Sequence, residues 1–411
     1  MSSNQIPVGD LHCQKDTYSK VCITKCISCS EKPNKKGFYE VKLHDTVIFP
    51  EGGGQPSDTG MIDNIKVYEV QRKKLEHIHF TKEPVPVNKE VEVTLDWNRR
   101  WDHVQQHSGQ HLLSAVLEKE PYNMETLSWN LGPAKCYVEL STKNTKTLGA
   151  EQLATLESRV NDLILEELPM ECHVEANTGD GRPDSLPADY VGGGSIRTIT
   201  IEGLDTNPCC GTHVRHLGHL QVLKLLHVES ARGGNIKLFF LFGQRVLDTL
   251  DVAYKTSRQV TSILSVPQEQ FVENITKLQQ QTRASQKQIK RLMTELAGHT
   301  ATEVKLQLKS QPYGFVYRPD GDMDFLVDIA SALKDTDDIK DKVVVLAAGE
   351  KQTGGQMLIT GGSEEIVQKT AKALLAAFPD LKGGGKARWQ GKAKSWKTID
   401  TLDTHLKTLF K

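Results

Sequence analysis

The sequence predicts an α+β protein built as an N-terminal β-barrel-like domain, a second α+β domain, a helical hairpin or coiled-coil arm and a small C-terminal α/β domain. Three observations predict this. Short alternating and β-branched runs fill the first 95 residues, a long apolar stripe at 3.6 spacing follows from Trp97 to Leu117, and between residues 265 and 297 apolar positions recur at alternating fours and threes. The boundaries read as 1–95, 96–245, 246–305 and 306–411. At about 150 residues per domain, the chain has ample length for this division.

In the first segment Lys20–Thr24, Phe38–Leu43, Thr46–Phe49 and Ile65–Val70 read as strands, separated by turn signals at Lys32-Pro33-Asn34 and Asp63-Asn64. A glycine cluster interrupts them, Pro50-Glu51-Gly52-Gly53-Gly54-Gln55-Pro56-Ser57-Asp58-Thr59-Gly60. The helix over 97–117 aligns Trp101, Val104, His107, His111, Ser114 and Ala115 on one stripe. A second helix is expected over Glu151–Leu168, and strands over Ile196–Ile201, Leu220–His227 and Ile236–Leu241. Ser265 with Gln268 forms a capping box and Gly298 a stop signal. The seam between them runs through Phe271, Ile275, Leu278, Thr282, Ser285, Ile289, Leu292 and Leu296. The last segment offers strands at Phe315–Tyr317, Asp324–Asp328, Val343–Ala348 and Met357–Thr360, then a helix over Glu364–Phe378.

Lys and Arg number 51 against 52 Asp and Glu, which excludes binding of nucleic acid through bulk positive charge and leaves only local patches. No apolar run approaches the length of a membrane span or of a secretory signal. Eight cysteines, unevenly clustered, fit a reduced, cytoplasmic protein in which grouped thiols bind metal more often than they pair. Cys22, Cys26 and Cys29 include a CxxC but have no partner motif nearby, so they are not expected to form a metal site.

Two short motifs carry the chemistry. In His107-Ser108-Gly109-Gln110-His111 the imidazoles stand four apart on one helical face, about one turn from each other. In Cys209-Cys210-Gly211-Thr212-His213 a thiol and an imidazole flank a tight turn. His107, His111, Cys209 and His213 are a candidate tetrahedral zinc site, one Zn2+ per chain, in which Cys210 could take the place of Cys209 as ligand. The first motif lacks the Glu of HExxH, which argues against a metalloprotease. No GxxxxGK phosphate loop is present.

The segments Gln106–Leu113 and Asn207–Val214 resemble the editing domain of alanyl-tRNA synthetases, and the chain is most similar to the free-standing alanyl-tRNA editing proteins of AlaX type in their long form. The glycine-rich segment Phe49–Gly60 and the motif Gly383-Gly384-Gly385-Lys386-Ala387-Arg388-Trp389-Gln390-Gly391 extend the likeness over most of the chain. The family's usual Cys-Gly-Gly-Thr-His is Cys-Cys-Gly-Thr-His here, and its frequent HTAxH is His-Ser-Gly-Gln-His. The resemblance implies that residues 96–245 are a zinc-containing editing domain whose four matching side chains bind the metal. It implies a zinc-dependent hydrolase that removes serine, and glycine as a second substrate, from mischarged tRNA(Ala) in trans. Only residues 1–49 precede the glycine cluster that begins at Pro50, so editing without charging is expected.

Ester hydrolysis needs a placed water and a stabilised oxyanion. Either the metal activates the water, or it only orients the substrate while backbone and Gln55 or Gln110 position the water. An editing pocket can demand the serine hydroxyl, with Gln110, Thr212 and the zinc as its candidate readers. Gly52, Gly53 and Gly54 are expected to admit close approach of substrate, and Arg99 and Arg100 to contact the tRNA 3′ end. Residues 382–411 carry eight Lys/Arg against two acidic residues. Lys386, Arg388, Lys392 and Lys394 form a tRNA-binding patch there, with Trp389 and Trp396 as stacking platforms. The alternatives are a non-catalytic zinc-containing tRNA- or protein-binding module, and an adaptor that makes protein contacts through residues 265–298.

Overall fold

The structure, a computed structural model, describes residues 5–143, 148–176, 195–334 and 339–411. The chain divides into two compact units, Met1–Gln259 and Val260–Lys411. Among the described residues no helix is long and apolar enough to cross a membrane.

The first unit opens with a helical turn, α1 (His12–Lys15), and a barrel of β1 (Val21–Cys29), β2 (Tyr39–Leu43), β3 (Gly60–Ile62), β4 (Ile65–Lys73), β5 (Glu76–Thr81) and β6 (Glu90–Leu95). The strands close in the order β1-β2-β5-β4-β3-β6, which leaves the barrel no free edge. Side-chain alternation dictates the inner face: in β6, Val91 and Val93 are buried while Glu90 and Glu92 face solvent. Cys26 lies in the barrel core and Cys22 and Cys29 pack against it. The sequence expectation of a strand over Thr46–Phe49 fails, because side chains take the place of a ladder partner. Asp45 Oδ1 accepts from Thr46 N at 2.7 Å, Thr46 Oγ1 from Ile48 N at 3.0 Å and Asp58 Oδ2 from Phe49 N at 2.8 Å.

Buried polar groups also line β5. His79 Nε2 lies 3.0 Å from Thr46 Oγ1. Burial pushes the His77 imidazole down to about 4 and that of His79 well below its ordinary value. Both enter the fold neutral, whereas the unfolded chain takes up protons near pH 6.5. Stability is therefore full above about pH 6.5 and lost as the pH falls toward 4, by roughly 3 kcal/mol for His77 alone. Denaturant midpoints of the first unit are expected to drop across that window, and His77→Gln to make the drop shallower.

The remainder of the first unit comprises α2 (Trp97–Leu117), β7 (Thr126–Leu131), β8 (Cys136–Leu140), α3 (Ala150–Leu165), β9 (Met170–Ala176), β10 (Ser195–Ile201), β11 (Asp205–Pro208), β12 (Leu223–Ser230) and β13 (Ile236–Phe242). The helix α4 (Gln244–Leu264) follows and crosses the division between units. A sheet of order β12-β13-β8-β7 packs against α2, and a second sheet, β11-β10-β9, is antiparallel throughout. Helix α2 starts where its sequence signal places it: Asp96 caps it by accepting from Arg99 N. From His103 onward every residue of α2 is buried, so this helix is the axis of the unit and not a surface stripe.

The second unit holds α5 (Phe271–Ser310), β14 (Tyr313–Arg318), α6 (Met323–Leu333), β15 (Val343–Ala348), β16 (Gly355–Gly361), α7 (Glu364–Ala377), β17 (Leu381–Gly384), β18 (Arg388–Ala393) and α8 (Leu402–Leu409). Its sheet runs β14-β15-β16-β18-β17, parallel only between β14 and β15.

Four sequence expectations are corrected here. Ser265 does not cap α5; it closes α4 with φ 55°, its N–H donating to Thr261 O at 2.8 Å. Gly298 does not stop α5, because burial of Ala297, Ala301, Val304 and Leu308 against α6 and the sheet carries the helix twelve residues further, to Ser310. Asp324–Asp328 is helical: Asp322 accepts from Phe325 N at 2.9 Å, and Phe325, Leu326, Ile329, Ala330 and Leu333 make a helical buried face. Trp389 and Trp396 are core residues, 2% and 0% exposed, so neither can stack on a base. Of the α5 seam, Ile275, Leu278, Ile289 and Leu292 remain exposed along a single helix.

Candidate metal centre

Two elements built by local chemistry bring the four predicted ligands together. Helix α2 places His107 and His111 one turn apart, ring centroids 5.2 Å from each other. The hairpin of β10 and β11 delivers the others, its ladder extended one residue by Cys209 N donating to Arg197 O at 2.9 Å. The chain then turns at Gly211, where a Cβ would lie 2.4 Å from His107 Cε1. Only glycine lets the turn pass the imidazole. One donor atom from each of His107, His111, Cys209 and His213 lies within 4.8 Å of all the others, and all four side chains are buried. Among the described residues this is the one such cluster, and it selects Cys209 over Cys210.

Hydrogen bonds around the cluster set which ring nitrogens face inward. Gln55 Oε1 sits 3.0 Å from His107 Nδ1, and the same oxygen accepts from Thr212 N at 3.0 Å. Because that oxygen can only accept, His107 carries its proton on Nδ1 and turns a bare Nε2 toward Cys209 Sγ, 3.5 Å away. Ser108 Oγ faces His213 Nδ1 at 3.2 Å while accepting from Val214 N at 3.0 Å, which leaves His213 Nε2 pointing at Cys209 Sγ at 3.3 Å. Among the described residues the buried His111 Nε2 has no hydrogen-bond partner.

Burial, reinforced by the neighbouring imidazoles, holds His107 and His213 well below the ordinary value, and burial takes His111 to about 4. Three neutral imidazoles thus offer lone pairs at neutral pH. Burial pushes the Cys209 thiol up, and only a cation among these groups would make its thiolate favourable. The donor set fits a metal ion, and the cluster can hold one.

Beside the cluster lies a cavity of about 180 Å³, lined by Gly53, Gln110, His111, Ser114, Trp129, Cys209 and Cys210 among others. Gln110 Nε2 donates to Ser114 Oγ at 3.0 Å, and among the described residues the buried Gln110 Oε1 has no partner. Gly53, at φ 62°, brings backbone against both thiols: a Cβ there would stand 3.2 Å from Cys210 Sγ and 3.5 Å from Cys209 Sγ.

The other sequence-predicted residues distribute as follows. Gln55 and Thr212 are fully buried and bonded to each other, Gln55 Nε2 donating to Thr212 Oγ1 at 2.8 Å. They support His107 and do not line the cavity. Gln55→Ala is expected to cut metal affinity and activity about 10–100-fold, read by metal titration and turnover. Gly52 pairs with Gln55 across the glycine turn, and Gly52 and Gly54 line a shallow groove with Gly53 and Arg72.

Of the two arginines expected at the tRNA 3′ end, Arg99 is exposed and Arg100 is buried away from any substrate. Arg99 donates twice to Ser57 O. Arg100 is fully buried, bonded to Asp58 Oδ2, Val47 O and Thr17 O. Lys386, Lys392 and Lys394 are exposed around β18, and Arg388 is half-buried with Nε and Nη2 unpartnered.

Ser114 and Trp129 were not anticipated as lining residues. Ser114 follows Gln110 by one turn on the stripe already identified, whereas nothing in the strand sequence marks Trp129.

Residues 196–238 match the family model described as the threonyl and alanyl tRNA synthetase second additional domain. The chain is 38% identical over 398 residues to the alanyl-tRNA editing protein Aarsd1-A of Xenopus laevis, covering 93% of each. It is 33% identical over 436 residues to the putative alanyl-tRNA editing protein alaX of Saccharomyces cerevisiae, covering 95% of this chain and 94% of that protein. An alanine–tRNA ligase of Pyrococcus abyssi is 25% identical over 358 residues, 84% of this chain but 38% of the ligase.

Proposed function

The chain belongs to the family of alanyl-tRNA editing proteins, and from that premise we propose that its His107, His111, Cys209 and His213 hold one zinc ion at the site of ester hydrolysis. The activity is trans-editing, the deacylation of mischarged tRNA(Ala). The preferred substrate is Ser-tRNA(Ala), with Gly-tRNA(Ala) second. The carrying observation is that the buried ligand cluster adjoins a small cavity holding the unpartnered Gln110 Oε1.

When bound, zinc would supply a Lewis acid that polarises the ester or orients the aminoacyl group. The protein's own residues account for the rest. Gln55 and Ser108 fix the imidazole tautomers, and Thr212 acts through Gln55 as a positioning residue. Gly53 lets the ester approach the thiol side of the cavity, with Gly52 and Gly54 beside it in the glycine turn. Gln110 Oε1 accepts a hydrogen bond from the serine hydroxyl. With alanine that acceptor stays buried and unsatisfied, a penalty that lets such a pocket discriminate by up to about 10⁴-fold.

Parallel assays of seryl and alanyl esters of tRNA(Ala) by the purified, metal-analysed protein test this. Seryl ester is expected to be cleaved far faster, and Gln110→Met to lose most of that preference while retaining zinc. Binding of tRNA without cleavage of either ester would return the chain to a non-catalytic, zinc-containing tRNA-binding module.

The exposed Lys386, Lys392 and Lys394, with Arg388, support a phosphate-attracting face in the second unit. The exposed seam on α5 supports protein contacts through residues 265–298. The eight free cysteines and the substrate together support a cytoplasmic location.

A further inference from the structure

The strand β10 has an inward face of Arg197, Ile199 and Ile201, and on it an arginine stands where an aliphatic residue would be expected. Arg197 is 4% exposed, and its Nε is sealed from solvent with no partner. Among the described residues its guanidinium makes no hydrogen bond and no ion pair. A buried cation without a counter-charge is strongly unfavourable, so such groups are found where an anion is to be received. The four-ligand cluster nearby supplies none. A divalent ion with one thiolate is itself net positive.

Arg197 opens on a cavity of about 290 Å³ whose lining includes Lys15, Asp16, Tyr18, His213 and Arg215. This cavity shares no lining residue with the one beside Gln110. Among the described residues Asp16 is the one carboxylate lining it, and it already pairs with Arg215 at 3.1 Å, while the Arg215 guanidinium lies 4.3 Å over the Tyr18 ring. Lys15 is exposed and has no ion-pair partner among the described residues. Among the described residues, Arg197 and Lys15 therefore leave two positive charges facing one empty volume in which the only carboxylate, Asp16, is already paired.

We propose that this cavity is a binding site for a phosphate group, gripped by the Arg197 fork and steadied by Lys15. The turn Cys209–His213 lies between the two cavities. Its Cys209 end lines one and its His213 end the other. In the editing reading, the phosphate is a phosphodiester near the 3′-terminal ester, and the ester occupies the Gln110 side of the turn. Assigning the phosphate to tRNA rests on the editing reading; the oxyanion site itself does not.

The test uses the full-length, metal-loaded protein with Arg197→Gln and, as a surface variant that keeps the fold, Lys15→Ala. Inorganic phosphate is expected to raise the melting temperature of the wild type and not of Arg197→Gln. KM for Ser-tRNA(Ala) is expected to rise about 10-fold or more in Arg197→Gln, and less in Lys15→Ala. Metal content and turnover of the phosphate-free ester seryl-adenosine should be unchanged. The logarithmic salt dependence of tRNA binding should flatten by about 0.7, one phosphate contact on a single strand. Loss confined to tRNA identifies the phosphodiester as the source, and a phosphate shift without any effect on tRNA identifies a free phosphate. If the wild type cleaves neither ester, the editing reading fails while the thermal arm still reads the site. The proposal is overturned if Arg197→Gln answers phosphate as the wild type does and slows both esters in parallel or neither.

Discussion

Replacing Cys209 by serine is expected to strip the metal and to reduce deacylation of Ser-tRNA(Ala) by well over about 100-fold, more than the 10–100-fold typical of losing a supporting contact. Cys209 Sγ is the point on which His107 Nε2 and His213 Nε2 converge, at 3.5 and 3.3 Å. A serine hydroxyl is both a poorer ligand for zinc and, in this buried setting, one that stays protonated. His107→Ala is expected to match it. Metal analysis with single-turnover deacylation checks both. A Cys210→Ser control should keep its metal, because Cys210 stands outside the set of mutually close donors. A Cys209→Ser protein that retained stoichiometric zinc and full activity would move the chemistry elsewhere.

Asp58→Ala is expected to destabilise the first unit by about 3–5 kcal/mol, the usual consequence of leaving one member of a buried pair alone. Asp58 and Arg100 are both fully buried, 2.5 Å apart. Burial pushes the Asp58 carboxyl up, but the Arg100 guanidinium, together with hydrogen bonds from Arg100 and the Phe49 N–H and the nearby His103 imidazole at 3.8 Å, outweighs it and holds the group below its ordinary range. The pair ties the glycine-rich segment to the start of α2, so its loss acts on the segment that carries Gly53 and Gln55 as well as on stability. For a unit of this size the melting temperature should fall by about 6–20 °C. Asp58→Asn, which keeps an acceptor but not the charge, should cost less, and thermal melts of the two variants separate the charge from the hydrogen bond.

The ligand cluster was legible in the sequence because helical spacing alone puts His107 and His111 on one face, and a glycine between Cys209 and His213 announces a turn. The barrel-like character was legible from the β-branched runs around Lys20–Thr24, Phe38–Leu43 and Ile65–Val70, whereas β3, β5 and β6 are not among the strands the sequence predicts. The losses have a common cause, side chains whose partners lie far along the chain. Arg100 reads as a surface cation until Asp58 arrives from 42 positions away. Thr46–Phe49 reads as a strand until Asp58 and its own Thr46 take up its N–H groups. Trp396 reads as an exposed aromatic in a basic tail, yet its Nε1 donates to Ala348 O at 2.9 Å in the core. Gly298 reads as a stop because local propensity is weighed without the tertiary packing that overrides it.

His107 and Cys209 stand 102 positions apart. An ion held between them fastens a loop of that length, and a clasp of this kind acts mainly by narrowing the freedom of the unfolded chain. If the cluster holds zinc as proposed, cation supply would act as a checkpoint on maturation. A nascent polypeptide cannot secure its fourth donor until His213 has left the ribosome, and under metal starvation the same chain should present a looser, protease-sensitive population before any fault in decoding is seen.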